Sequence, residues 1–152
     1  MEVNKYGNYY TWAQATAGSG TTTPGEDAQY DICPKGWRLP SAGSDYTTSE
    51  QYNMIRHYIN SGTFNTSEPG YENWSGVTTT DFTDAPLSLV FAGEWVSGAY
   101  ADRGRIGRWW SSTSNGSSDV FSLDVDMYGY VSPRDYNGSS WGKPVRCLVS
   151  GA

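Results

Sequence analysis

The sequence predicts an α+β domain, with two early helices followed by several antiparallel strands that form sheets separate from them. Three observations lead there. Capped helical segments occupy residues 11–18 and 47–62. Strand signals become dense only after residue 87. A period-two alternation runs through "VFSLDVDMYGYVS" at 120–132, the spacing of a half-buried strand.

The first helix is expected over "TWAQATAG" (11–18), where Thr11 can cap, Gln14 completes a capping box and Gly18 stops the turn. "GSGTTTPGED" (18–27) reads as a loop. "TTSEQYNMIRHYINSG" (47–62) is the stronger helix. Thr48 and Gln51 suggest a second capping box, Tyr52, Ile55 and Ile59 mark one face, and Gly62 ends it. Residues 63–84 are polar and turn-rich, a long loop region with one short strand. "LSLVFAGEW" (87–95) is expected as a buried strand and "GRWWSST" (107–113) as another. In 120–132, Phe121, Leu123, Val125 and Met127 alternate with Ser122, Asp124, Asp126 and Tyr128. The chain is expected to turn near Gly129 into a short partner strand, and "PVRCLV" (144–149) to close the fold.

At 152 residues the chain suits a single domain with a real core. Aromatics make up 15%, with 12 Tyr and 7 Trp, which argues against disorder despite the abundance of glycine. The net charge of −6 argues against nucleic acid and against an anionic membrane surface. "PLSLVFAGEWV" (86–96) is too short and interrupted to span a bilayer. "MEVNKYGNYY" has no apolar run, so no secretion signal is expected there.

Neither cysteine belongs to a C-x-x-C pair, so a zinc site or thioredoxin-like motif is not expected. A Cys33–Cys147 disulfide is favoured over two buried thiols, and would place the protein in an oxidising setting.

Five stretches carry a resemblance to a known family. "YGNYYTWAQA" (6–15), "ICPKGWRLPS" (32–41), "PLSLVFAGEW" (86–95), "RWWSSTS" (108–114) and "PVRCLV" (144–149) stand in the same order as in the Fibrobacter succinogenes major paralogous domain family of bacterial surface and secreted proteins. The chain resembles that family over nearly its whole length. The resemblance implies a C-type-lectin-like fold of two helices, paired antiparallel sheets and long loops. It also implies a disulfide tying the first half to the last strand, and Trp37, Trp109 and Trp110 packed beneath as core. Binding, not catalysis, is the implied activity.

Calcium-dependent sugar binding in that fold uses a Glu-Pro-Asn or Gln-Pro-Asp tripeptide and a later Trp-Asn-Asp. Here "SEPGYENW" (67–74) offers Glu68-Pro69 but continues with Gly70, and Trp-Asn-Asp is absent. Asp119, Asp124 and Asp126 amount to half a site for a cation needing six or more oxygens, and read better as solvated carboxylates. No metal and no cofactor are expected.

Nothing marks an enzyme. His57, the only histidine, falls on the helix side away from Ile55 and Ile59, and no serine is marked as its partner. Glu68, Glu72, Asp81, Asp84 and Glu94 have no spacing that favours a hydrolytic pair. The formylglycine-generating enzyme shares the implied fold but needs reactive cysteines.

"MYGYVSPRDYNGSSWGK" (127–143) is rich in the Tyr, Trp, Ser, Gly and Asn of binding loops. The ligand surface is therefore expected on Asp124, Asp126, Tyr128, Tyr130, Ser132, Arg134, Asp135, Tyr136, Asn137, Ser139, Ser140 and Trp141, with Arg103, Arg105 and Arg108 at its edge. All but Trp141 suit the residue alphabet of adenine-targeted mutagenesis at asparagine codons. Variable proteins of diversity-generating retroelements use C-type-lectin-like folds with C-terminal variable positions, so the segment resembles such a region. The expected partner is a protein or glycan on another cell or particle, met at a cell or virion surface. A fixed adhesive or structural module is the alternative. Asn65, Asn73, Asn115 and Asn137 match the glycosylation sequon, a weak signal in a prokaryotic setting.

Overall fold

The computed structural model describes residues 5–59, 72–73, 78–85 and 87–151. Its elements are, in chain order, α1 (Trp12–Ala15), β1 (Trp37–Arg38), α2 (Glu50–Ile59), β2 (Glu72–Asn73), α3 (Thr79–Thr83), β3 (Glu94–Val96), β4 (Ala99–Ala101), β5 (Ile106–Ser114), β6 (Asp119–Asp126), β7 (Tyr130–Gly138) and β8 (Leu148–Val149). The architecture is α+β, as expected, with helices and antiparallel sheets; most strands follow the last helix, but the two-residue strands β1 and β2 are interposed between the helices. The main sheet runs β2-β7-β6-β5, with two-stranded sheets β1-β8 and β3-β4 beside it.

Helix α1 carries the expected capping box. The Thr11 hydroxyl accepts from the Gln14 N–H at 3.3 Å and the Gln14 side chain accepts from the Thr11 N–H at 2.9 Å, satisfying two end donors reciprocally. Gly18 follows with φ +77°. Helix α2 starts later than the sequence suggests. Ser49, not Thr48, caps it: the Ser49 hydroxyl accepts from the Tyr52 N–H at 3.5 Å. Thr48 is taken up by the preceding turn, accepting from the Ser44 and Asp45 N–H groups. Gln51 reaches inward to donate to the Trp110 carbonyl at 3.2 Å. Tyr52 and Ile55 are fully buried, so the expected face is the packed one, and His57 is exposed. Gly62 and the start of the long loop, 63–71, lie outside the described residues. Further on, the short strand expected there is β2, paired with β7 through Glu72↔Val131 and Asn73↔Tyr130. Helix α3 is an addition to the two expected helices; the Asp81 carboxylate accepts from the Thr78 N–H at 2.7 Å and from its hydroxyl at 2.9 Å.

The main sheet packs on both faces. On one side Trp109, Leu123, Val125 and Val131 meet Tyr52, Ile55, Phe82, Leu87, Leu89 and Phe91. On the other Trp110 and Val120 meet Trp12, Ala15 and Leu39. Adjacent residues of a strand point to opposite faces, which is how neighbours Trp109 and Trp110 serve two different cores.

Four expectations need correction. Trp37 is 48% exposed, not core, because its short strand lies at a sheet edge with β8 as its partner. Residues 87–93 are mostly buried but irregular, and the strand begins only at Glu94; Ser88 and Gly93 adopt positive φ of +48° and +63°, which breaks an extended run. The closing strand shrinks to Leu148–Val149. The half-buried strand with a polar outer face is instead buried on both faces from Val120 to Val125.

Cys33 and Cys147 form a disulfide, with 5.9 Å between their Cα atoms and 114 positions between them in sequence. It fastens the segment leading into β1 to the one leading into β8, which is where β1 and β8 pair. Among the described residues, no helix is long and apolar enough to cross a membrane.

Candidate functional site

Strands β6 and β7 present the expected ligand residues, and their register decides which of them meet solvent. Ser122 pairs with Asp135 and Asp124 with Ser132, so two steps along β6 match three along β7. The extra residue is a β-bulge at Pro133–Arg134, and it reverses the alternation of β7. Directly opposed residues of antiparallel strands share a face. Ser132 before the bulge and Asp135 and Asn137 after it therefore all lie on the face of Ser122 and Asp124. Tyr136, paired with Phe121, is turned to the other face.

The Asp124 face holds a buried ionic cluster. Asp124, only 7% exposed, accepts from Arg108 Nε at 2.7 Å and from the Ser122 hydroxyl at 3.0 Å. Arg108 Nη1 also donates to Glu94 at 2.8 Å and to Asp102 at 2.9 Å. Burial opposes the Arg108 charge, but Asp124, Glu94 and Asp102 outweigh it and raise its pKa. Lys143 is fully buried. Its ammonium donates to the Ser122 hydroxyl at 2.9 Å and to the Asn137 side-chain oxygen, lies 4.7 Å from the centre of a Trp110 ring, and stands 3.9 Å from Glu94 Oε2. That Glu94 oxygen is buried and accepts no hydrogen bond. Burial pushes the Glu94 carboxyl up and the Lys143 ammonium down. Burial, with the neighbouring Asp124, pushes Asp135 up to about 7.

The expected ligand residues thus separate. Asp124 and Ser132 are buried, contrary to their expected outward position; Asp135 and Asn137 are half-buried and engaged with the same cluster. Arg108 is in the cluster's centre, not at a surface edge. Arg134 is half-buried, lies 4.0 Å from the Phe121 ring centre and donates to the carbonyls of Ala42 and Gly43. Asp126 shapes the β6–β7 turn by accepting from the N–H groups of Tyr128 at 2.8 Å and Tyr130 at 3.1 Å. Ser139 and Trp141 are half-buried and Ser140 is exposed. The open aromatics are Tyr128 (67%), Tyr136 (57%) and Tyr130. Arg105 is exposed.

Sequence reasoning missed a second aromatic group. Tyr9, Trp95 and Tyr100 cluster with Arg103: Tyr100 lies 4.6 Å from Trp95 and 5.2 Å from Tyr9, ring centre to ring centre, and the Arg103 guanidinium stands 3.1 Å from the centre of the Tyr100 ring. The signal available was weak, since the three rings come from two distant segments and share no period. Of the acids weighed for catalysis, Glu68 lies outside the described residues, Asp81 caps α3 and Glu94 belongs to the cluster. Among the described residues, no group of three or more His, Cys, Asp or Glu side chains is placed to hold a metal ion.

Comparisons with protein-family models, with curated proteins and with solved structures found no match to this chain.

Proposed function

We propose that the chain is a non-enzymatic binding domain of the C-type-lectin-like type, a member of the Fibrobacter succinogenes major paralogous domain family, displayed on a cell or virion surface. It engages a protein or glycan of another cell or particle through the exposed part of the β6–β7 surface. The observation that carries this reading is the pair of open tyrosines at the β6–β7 turn, Tyr128 in the turn and Tyr130 at the start of β7, beside a packed sheet; Tyr136, also open, is turned to the opposite face of β7. Tyrosine offers broad contact area at low entropic cost, and a fixed scaffold lets that area be used without ordering a loop. The disulfide is consistent with an oxidising location.

The same register limits diversification. If the segment is a retroelement variable region, substitutions belong at Tyr128, Tyr130, Tyr136 and Ser140. Asp124, Asp135 and Asn137 belong to the buried cluster and Ser132 is buried opposite Asp124, so all four tolerate little change. That burial favours a fixed adhesive module as the second reading.

Sequencing the locus and its flanking DNA across the source population separates the two. Adenine-linked substitutions concentrated in the exposed codons, with a template repeat nearby, mark a diversified receptor. A uniform locus leaves the fixed module. Alanine at Tyr128, Tyr130, Tyr136 and Trp141 should lower adhesion to target cells with the fold intact; unchanged adhesion removes this surface from the proposal.

A further inference from the structure

A concave pocket of about 650 Å³ opens between the segment before α1, the β3–β4 hairpin and the residues after β7. Its volume lies within the usual range for small-ligand sites. Its walls combine the Trp95 and Tyr100 rings with the side chains of Asn8, Thr11, Gln14 and Ser140. Among the described residues no charged side chain lines it, although the chain carries 26 charged residues (10 basic and 16 acidic).

The walls are fixed by backbone. Trp95 exchanges two 2.7 Å hydrogen bonds with Gly142, and Tyr10 exchanges bonds of 2.9 and 3.0 Å with Lys143. Gly142 is required for the close approach: a Cβ there would lie 3.0 Å from the Trp95 Cβ and 3.2 Å from the Tyr9 Cβ. The Tyr9 hydroxyl donates to the Ala92 carbonyl at 2.6 Å and accepts from Arg103 at 2.9 Å. The Gln14 carbonyl is committed to the α1 cap, which leaves its two amide N–H donors for a ligand.

Three features narrow the ligand. A cation would seek an aromatic face, but Arg103 already covers Tyr100 and stands near Tyr6 and Tyr9, at 4.9 and 5.3 Å from their ring centres. A flat base prefers a parallel slot, whereas Trp95 and Tyr100 meet at 73°, forming a corner. The remaining walls supply neutral donors and acceptors around that corner. A pyranose answers all three, with a C–H face for one ring and a rim of hydroxyls for amides and hydroxyls.

We propose that this pocket binds a neutral saccharide of one or two pyranose rings, without calcium. It does not depend on the β6–β7 surface being a receptor.

The test is titration of the full chain with cellobiose, mannobiose, lactose and chitobiose, followed by tryptophan fluorescence and by the Trp95 indole N–H resonance. Saturable binding of at least one disaccharide is expected, unchanged by EDTA. Trp95→Ala and Asn8→Ala should each weaken it by about tenfold or more, and Tyr128→Ala and Tyr136→Ala should leave it alone. Asn8 is exposed, so its variant remains informative if Trp95→Ala fails to fold. The proposal is overturned if none of the four disaccharides binds, if EDTA abolishes binding, or if tetramethylammonium or adenosine perturbs the Trp95 resonance in their place.

Discussion

Arg108 Nε lies 2.7 Å from Asp124 Oδ2 across the β5–β6 pair, and the same guanidinium reaches Glu94 and Asp102. One arginine thus pairs with carboxylates from β3, the β4–β5 connection and β6, of which Glu94 and Asp124 have little access to water. Removing one partner of a buried ion pair strands the rest, at about 3–5 kcal/mol. Arg108→Ala is expected to cost on that order in urea unfolding. Arg108→Lys should recover only part, because an ammonium lacks the planar fork that serves several carboxylates at once. A loss below about 1 kcal/mol for Arg108→Ala would contradict this account.

Asp135 gives the cluster a pH dependence. Its pKa is about 7 in the fold against an ordinary 3.8, so the folded protein holds this proton more tightly than the unfolded chain. The stability it contributes is fully present below about pH 4 and is lost as pH rises through 7. Glu94, also pushed up, acts in the same direction. Glu50 opposes them at acid pH. Burial raises its pKa, but Arg38 and the Ser41 N–H outweigh that and hold it below its usual value, so its contribution disappears as pH falls. Urea unfolding should therefore show stability declining from pH 5 to pH 8. Asp135→Asn should flatten that decline.

The Cys33–Cys147 bond closes nearly the whole domain. A loop spanning 114 positions corresponds to about 4–5 kcal/mol of chain entropy removed from the unfolded state. The Cys33→Ser, Cys147→Ser double variant should melt lower by on the order of 10 °C in calorimetry. A shift of a degree or two would mean that β1–β8 pairing and the Trp110 core hold this seam without the bond.

Local chemistry was legible in the sequence; register was not. Thr11 and Gln14 announced α1, Tyr52 and Ile55 announced the buried face of α2, and two cysteines outside any metal motif announced their pairing. The bulge at Pro133–Arg134 follows no residue period, so simple alternation carried Asp124 and Ser132 outward when they face a buried cluster. That cluster draws Glu94, Asp102, Arg108, Asp124 and Lys143 from five segments, and a single sequence gives no sign that such charges meet. Residues 87–93 read as strand because they are apolar, but burial alone does not select an extended backbone, and the positive φ at Ser88 and Gly93 prevents one. Helix α3 has only five residues, too few for a 3.6-residue period to show.

The bulge also sorts the tolerance of the C-terminal strands. Tyr128, Tyr136 and Ser140 are exposed, and substitutions at such positions usually change stability by no more than about 0.5 kcal/mol. Asp124, Ser132, Asp135 and Asn137 share the face of Lys143 and Arg108, where replacement leaves a buried donor or charge without its partner. A display-based scan of all single substitutions from Asp124 to Trp141, scored by protease resistance, should therefore lose alternation at Pro133–Arg134. Apart from the core positions Val125 and Val131, which should be sensitive in any register, the sensitive polar positions should be 124 and 132 before the bulge and 135 and 137 after it, with Tyr136 tolerant between the last two. Sensitivity that continued at even positions through Tyr136 would show that β7 pairs with β6 without the bulge, and would return Asp135 and Asn137 to the outer surface.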